Sequence, residues 1–191
     1  MQLIIDKIWH GAALPLADCA QIRLEKLKDG LLLIVNAPFH HDILPDADPG
    51  FVDKLWEYEV VELFIAAEDN PAHYVEIELG PGGHYWAAHF QGIRREAGKL
   101  SLEYESWLKD ESWQGKAKIA WTDLPKGRFV ANAFSMHGQG EDRAHLAAYP
   151  VSGNRPDFHQ PKSFVATNLS HPHQEDRAIL NPSLNAVKKE T

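Results

Sequence analysis

The chain has 191 residues, 44% of them hydrophobic and 24% charged, with a formal net charge of −8. That balance fits one globular domain over residues 1–191 and excludes a disordered or fibrous class. The acidic excess argues against DNA or RNA as a partner, because phosphate binding relies on a basic surface to displace counterions, and the single cysteine, Cys19, excludes an intramolecular disulfide and a cysteine-based zinc site.

The first eleven residues carry neither a basic segment nor a continuous apolar one, and no run of about 18 apolar residues occurs anywhere. The expectation is a soluble, cytoplasmic protein with no membrane partner. Asn168-Leu169-Ser170 spells a glycosylation sequon, which has meaning only in a secreted chain.

From the N-terminus onward the pattern is alternation in short runs cut by Gly, Pro, Asn and Asp, the pattern of antiparallel β-structure. Residues 20–28 alternate Ile22 and Leu24 with polar partners, and Asp29-Gly30 then turns the chain into a second strand, "LLLIVNAPF". A turn-rich loop follows at residues 40–50. Strands are predicted around Glu62, over 74–79 and over 84–90, then over 100–107, 115–121, 128–136, 144–150 and 163–169. About nine or ten short strands at this spacing predict an all-β antiparallel sandwich of immunoglobulin-like or jelly-roll type. A short C-terminal helix is predicted over 180–188, with Asn181 as its cap and Pro182 at its first position.

The stretch "LWEYEVVELFIAAEDNPAHYVEIELGPGGHYW" places three carboxylates inside strands. With residues 68–72 as a hairpin loop, Glu62 falls opposite Glu78 and Phe64 opposite Glu76. Side chains alternate across a strand, so Val61, Leu63, Ile65, Val75, Ile77 and Leu79 form a core face, and Val60, Glu62, Phe64, Tyr74, Glu76 and Glu78 form the other. A four-residue turn at "GPGG" would then put Trp86, Ala88 and Phe90 with the core, and Tyr85, Ala87 and His89 beside the acids. Like charges opposed across strands destabilise a sheet. The row therefore needs a cation such as Arg94, Arg95 or a bound metal ion, or a proton held through a raised pKa. The plain alternative is a solvated face crossed by arginines.

"LWEYEVVELFIA", "YVEIELGPGGHYWAAHFQGIRR" and "RPDFHQPKSFVATNL" together resemble the DOMON-like family, related to the family 9 carbohydrate-binding modules. The resemblance covers nearly the whole chain in order. It implies a β-sandwich that binds a ligand rather than catalysing a reaction: sugars in the carbohydrate modules, haem in some other DOMON domains. At the motif positions stand Trp56, Glu62, Tyr74, Glu76, Pro81, Gly83, Asp157, Phe158, His159 and Pro161. It also implies two aromatic platforms for a pyranose. Trp56 is the first candidate, and Trp9, Trp107, Trp113 and Trp121 are candidates for the second. Calcium, which the modules can carry, wants six to eight oxygens, and Asp46 with Asp48 are the candidates in an otherwise ordinary acid-rich turn.

Eleven histidines raise haem or metal binding through His40-His41, Met136-His137, His159 and His171-Pro172-His173. No haem attachment motif supports it, so haem is disfavoured and calcium stands as the candidate cofactor. In "DFHQP", Asp157 can orient the His159 imidazole or peg a loop. A cross-strand acid pair also approaches the about 5 to 5.5 Å spacing of a retaining glycosidase, a geometry any such pair satisfies, and no nucleophile-elbow, zinc-protease, phosphate-loop or dinucleotide motif is present.

The reading these residues support best is a non-catalytic domain that binds a small polar ligand, a saccharide, on an acidic-aromatic face. Its candidate contacts are Trp56, Glu62, Tyr74, Glu76, Glu78, Tyr85, His89, Arg94, Asp157 and His159. The alternatives are a haem-binding redox domain, a protein-interaction module and a carboxylate-dependent glycoside hydrolase.

Overall fold

A computed structural model describes residues 1–172. The predicted helix over 180–188 and His173 lie outside the described residues. Among the described residues fourteen strands form, more than the nine or ten predicted, because several short edge strands have no alternating signature of their own: β1 (Gln2–Ile5), β2 (Lys7–Ile8), β3 (Ala20–Lys26), β4 (Gly30–Pro38), β5 (Gly50–Phe51), β6 (Val60–Ala67), β7 (Asn70–Leu79), β8 (His84–Gln91), β9 (Glu96–Lys99), β10 (Glu103–Lys109), β11 (Ser112–Ala120), β12 (Arg128–His137), β13 (Ala144–Ala147) and β14 (Val165–Ser170). Only short 3-10 turns interrupt them among the described residues. No helix among those residues is long and apolar enough to cross a membrane.

The strands make two sheets. One has the order β1-β3-β4-β11-β10; the other has the order β2-β13-β12-β6-β7-β8-β5, with β14 added on β12 and β9 on β8. Among the described residues all strand pairs are antiparallel except β5 with β8. The main core lies between the sheets: Ile22, Leu24, Leu33 and Val35 from the first meet Leu63, Ile65, Val75 and Ile77 from the second. Strand β3 shows the burial alternation of a half-solvated strand, whereas every residue of β6 is buried. The difference arises because the second sheet is covered on both faces.

The outer cover is the segment 148–164. Val151, Phe158 and Phe164 drop onto Phe64, Phe134 and Tyr74 to make a second core. Asn132, at 0% exposure, fastens this cover. Its Nδ2 donates to the Tyr149 carbonyl at 2.9 Å, and its Oδ1 accepts from the Tyr149 N–H at 3.1 Å and the Ala133 N–H at 2.8 Å. Truncation would leave buried backbone groups unpaired, which costs about 1–3 kcal/mol for each group stranded. Asn132→Ala is accordingly expected to lower the unfolding free energy by about 2–4 kcal/mol, measured by urea denaturation. A loss below about 1 kcal/mol would mean that the rings alone hold the cover.

The central hairpin keeps the predicted register, with Glu62 opposite Glu78 and Phe64 opposite Glu76. Its turn is tighter than expected. Ala67 pairs with Asn70 and Ala66 with Tyr74, so Glu68-Asp69 make the turn and residues 71–73 bulge. The following turn is longer by one residue. Leu79 pairs with Tyr85, and the Gly80 N–H bonds the His84 carbonyl at 2.9 Å, closing a loop over 80–84. Gly83 makes this possible at φ +79°, a region that disfavours side chains, and its α-carbon faces Pro49 so closely that an added Cβ would sit 3.0 Å from that ring.

One residue reverses every side chain on the next strand. Trp86, Ala88 and Phe90 therefore join the acidic face, and Tyr85 and Ala87 join the main core. The predicted placement of Tyr85 and His89 beside the acids is corrected: Tyr85 packs edge-on to Tyr104, and His89 pairs with Val75, whose side chain is in the main core.

Candidate functional site

On the outer face of the larger sheet a cleft of about 460 Å³ opens. Glu62 on β6, with Glu76 and Glu78 on β7, line it beside Phe64, Trp86 and Phe90. Trp56, on the 3-10 turn Leu55–Glu57, forms one rim, and Arg94 with residues 156–159 forms another. Trp56 is 40% exposed and meets Trp86 edge-on at 5.8 Å with an interplanar angle of 88°. The second aromatic beside Trp56 is thus Trp86. Trp113 and Trp121 are buried in the main core, Trp107 is exposed on β10 near Lys116, and Trp9 borders a different hollow.

Arg143 supports the Trp56 rim from behind. Its guanidinium donates to the carbonyls of Trp56, Tyr58 and Gly138. These bonds involve backbone, so the turn's position does not depend on the indole.

The three glutamates are 2%, 5% and 0% exposed for Glu62, Glu76 and Glu78, and one oxygen from each lies within 4.8 Å of the others. Among the described residues no lysine or arginine forms an ion pair with any of them. Arg94, one of the cations offered for the row, turns instead to Asp157 at 2.7 Å. Both Glu78 oxygens and one Glu76 oxygen are closed off from solvent without a hydrogen-bond partner. Burial pushes the Glu62 carboxyl up to about 8 against the opposing pull of Arg143. Burial first, and then the neighbouring carboxylates, hold Glu76 and Glu78 well above the usual carboxylate range.

His159 leans over this row. Its Nδ1 bonds the Tyr74 hydroxyl at 2.7 Å, and its Nε2 faces a Glu76 oxygen at 3.7 Å. Burial pushes the imidazole down to about 4, with Arg94 acting in the same direction, so it is neutral near pH 7 and does not balance the acids. Tyr74 also accepts the Arg94 backbone N–H at 3.1 Å and stacks on Phe90 at 4.7 Å. Asp157 does not touch the imidazole. It accepts the His159 backbone N–H at 3.1 Å as well as Arg94, so of its two predicted roles it takes the loop peg.

Of the ten predicted site residues, Trp56, Glu62, Glu76, Glu78, Arg94, Asp157 and His159 line the cleft. Tyr74 positions His159 from beneath, and Tyr85 and His89 belong elsewhere. The predicted contacts leave out Trp86, Phe90, Met136, His145 and Phe158, although Phe158 stands at a motif position and Met136 among the haem candidates. A count of five residues in the "GPGGH" turn would have found the first two; the others come from distant segments. Met136 lines the cleft while its neighbour His137 points to a second hollow and stacks on His40 at 3.5 Å. Among the described residues no group of three metal-binding side chains includes Asp46 or Asp48.

The two packed sheets define an antiparallel β-sandwich whose fold is similar to those of solved carbohydrate-binding proteins. A proposed carbohydrate-binding protein from Bacteroides uniformis matches with TM-score 0.67 at 16% identity, over 87% of this chain and 84% of that one. A family 9 module from Caldicellulosiruptor kristjanssonii in complex with cellotriose matches with TM-score 0.54 at 15% identity, over 82% and 77% of the two chains. No protein-family model matches the chain. It is 32% identical to the human UPF0462 protein C4orf33 over 180 residues, covering 89% of each chain, and 33% identical to the zebrafish homologue (Danio rerio) over 82% of this chain and 83% of that one. The chain belongs to the UPF0462 family.

Proposed function

We propose that the protein is a non-catalytic carbohydrate-binding domain and that a pyranose sits in the cleft against Trp56 and Trp86, above Glu62. The observation that carries this reading is the meeting of an exposed indole, a second indole and buried carboxyl groups in one open hollow. The apolar C–H face of a sugar packs on an aromatic ring, and its hydroxyls need fixed polar partners. A protonated Glu62 can both donate to and accept from a hydroxyl, which suits a neutral sugar. Likeness in fold to a family 9 module solved in complex with cellotriose and with glucose supports the same ligand class, and the DOMON-like resemblance of the sequence belongs to this reading.

The test is isothermal titration with cellotriose and glucose. Trp56→Ala is expected to weaken binding at least about tenfold, the scale of a lost aromatic anchor, and Glu62→Gln about three- to tenfold, the scale of one hydrogen bond. Both variants should keep the wild-type circular dichroism spectrum. Binding unchanged in both, or loss of the folded state in both, would make these residues scaffold and end the groove reading.

A further inference from the structure

The acid row lies deeper than a sugar contact requires. Glu62, Glu76 and Glu78 bring one oxygen each to within 4.8 Å of one another. Glu78 is fully buried, yet neither of its oxygens has a hydrogen-bond partner. Native proteins rarely leave such acceptors unpaired without a water, ion or functional reason. The neighbouring cations are already committed: Arg94 to Asp157, and Arg143 to backbone carbonyls.

We infer that Glu62, Glu76 and Glu78 form a binding site for one calcium ion at the base of the cleft. Ligands around a single Ca²⁺ lie about 2.3–2.6 Å from it, so any two are at most about 5 Å apart, which the observed spacing satisfies. Three carboxylates can supply up to six oxygens, a number within the calcium range. The ligand set is oxygen only, which suits a hard cation rather than zinc or copper. Magnesium is disfavoured because it keeps several waters, and both Glu78 oxygens and one Glu76 oxygen are closed off from solvent. The hairpin fixes all three side chains through the paired register of β6 and β7, so the site needs no loop rearrangement to assemble.

This site stands independently of any saccharide. The full chain, stripped with EDTA and returned to buffer at pH 7.5, is titrated with CaCl₂, with MgCl₂ and NaCl at equal ionic strength as controls. At 100-fold excess over Kd the melting temperature should rise by roughly 5–10 °C with calcium alone. Terbium, a calcium substitute, should give luminescence sensitised by Trp56 and Trp86, saturating at one ion per chain and displaced by calcium. Glu78→Gln and Glu62→Gln should each weaken calcium at least about tenfold, as expected when a charged ligand is lost.

Absence of both the thermal shift and the terbium signal in the wild-type protein would overturn the inference. So would calcium binding that survives both substitutions. Cellotriose titration in EDTA keeps the two readings apart: sugar binding without calcium binding overturns only this one, and the reverse overturns only the saccharide reading.

Discussion

Glu62→Gln/Glu78→Gln is expected to be more stable than the wild-type protein at pH 8.5 in chelator, by on the order of 3 kcal/mol. The sign follows from the direction of the shift. Burial raises the folded-state Glu62 pKa from 4.5 to about 8, and Glu78 is raised in the same direction by burial and by Glu62 and Glu76. Such groups contribute stability in full below the unfolded pKa and lose it as pH rises through the folded one. The chelated wild type should therefore lose melting temperature steadily from about pH 5 to 9. Glutamine has the same shape and no charge to bury, so the double variant should show a flatter alkaline limb.

On the acid side, His159 and His137 are held down to about 4 by burial, His159 with Arg94 and His137 with His40 acting in the same direction. Their contribution is present above the ordinary histidine pKa and is lost as pH falls from about 6.5 toward 4. Wild type and variant should share this acid limb, and a plot of melting temperature against pH separates the two effects. An alkaline limb equally steep in the double variant would place the titrating groups elsewhere.

Phe134→Ala is expected to cost about 3–5 kcal/mol, or roughly 10 °C in melting temperature. The ring is fully buried and stacks on Phe158 at 3.9 Å with an interplanar angle of 9°, and it meets Phe64 edge-on at 5.5 Å. Its removal opens a cavity under the cover and releases the segment that carries Asp157 and His159 to the cleft. The stability loss should therefore come with weaker cellotriose binding. Ile4→Ala, at a position 50% exposed, serves as the control and should change stability by less than about 0.5 kcal/mol. A loss below about 1 kcal/mol for Phe134→Ala would mean that the outer cluster is not a cooperative part of the core.

Much of the frame was legible before any coordinates. Alternation at Val61, Leu63, Ile65, Val75, Ile77 and Leu79 identified one face of a hairpin, because a side-chain period of two leaves few ways to bury those residues together. Pairing from a hairpin loop then placed Glu62 opposite Glu78, and the bulge over 71–73 left that pairing intact because it lies beyond the acids. The next turn was harder. A loop of four residues and one of five differ little in sequence, yet they decide whether Trp86 or Tyr85 reaches the cleft.

The sequence by itself therefore determined an all-β sandwich and a row of acids on one sheet face, since both rest on local alternation. Only the tertiary structure decided how deeply that row lies and what surrounds it. Residues 148–164 return over the face and bring Phe158 and His159 onto it, with the His159 Nε2 3.7 Å from a Glu76 oxygen. Periodicity records which side of a strand a residue takes; it carries no record of a covering segment about 80 residues farther along the chain, nor of the other distant side chains that surround the row.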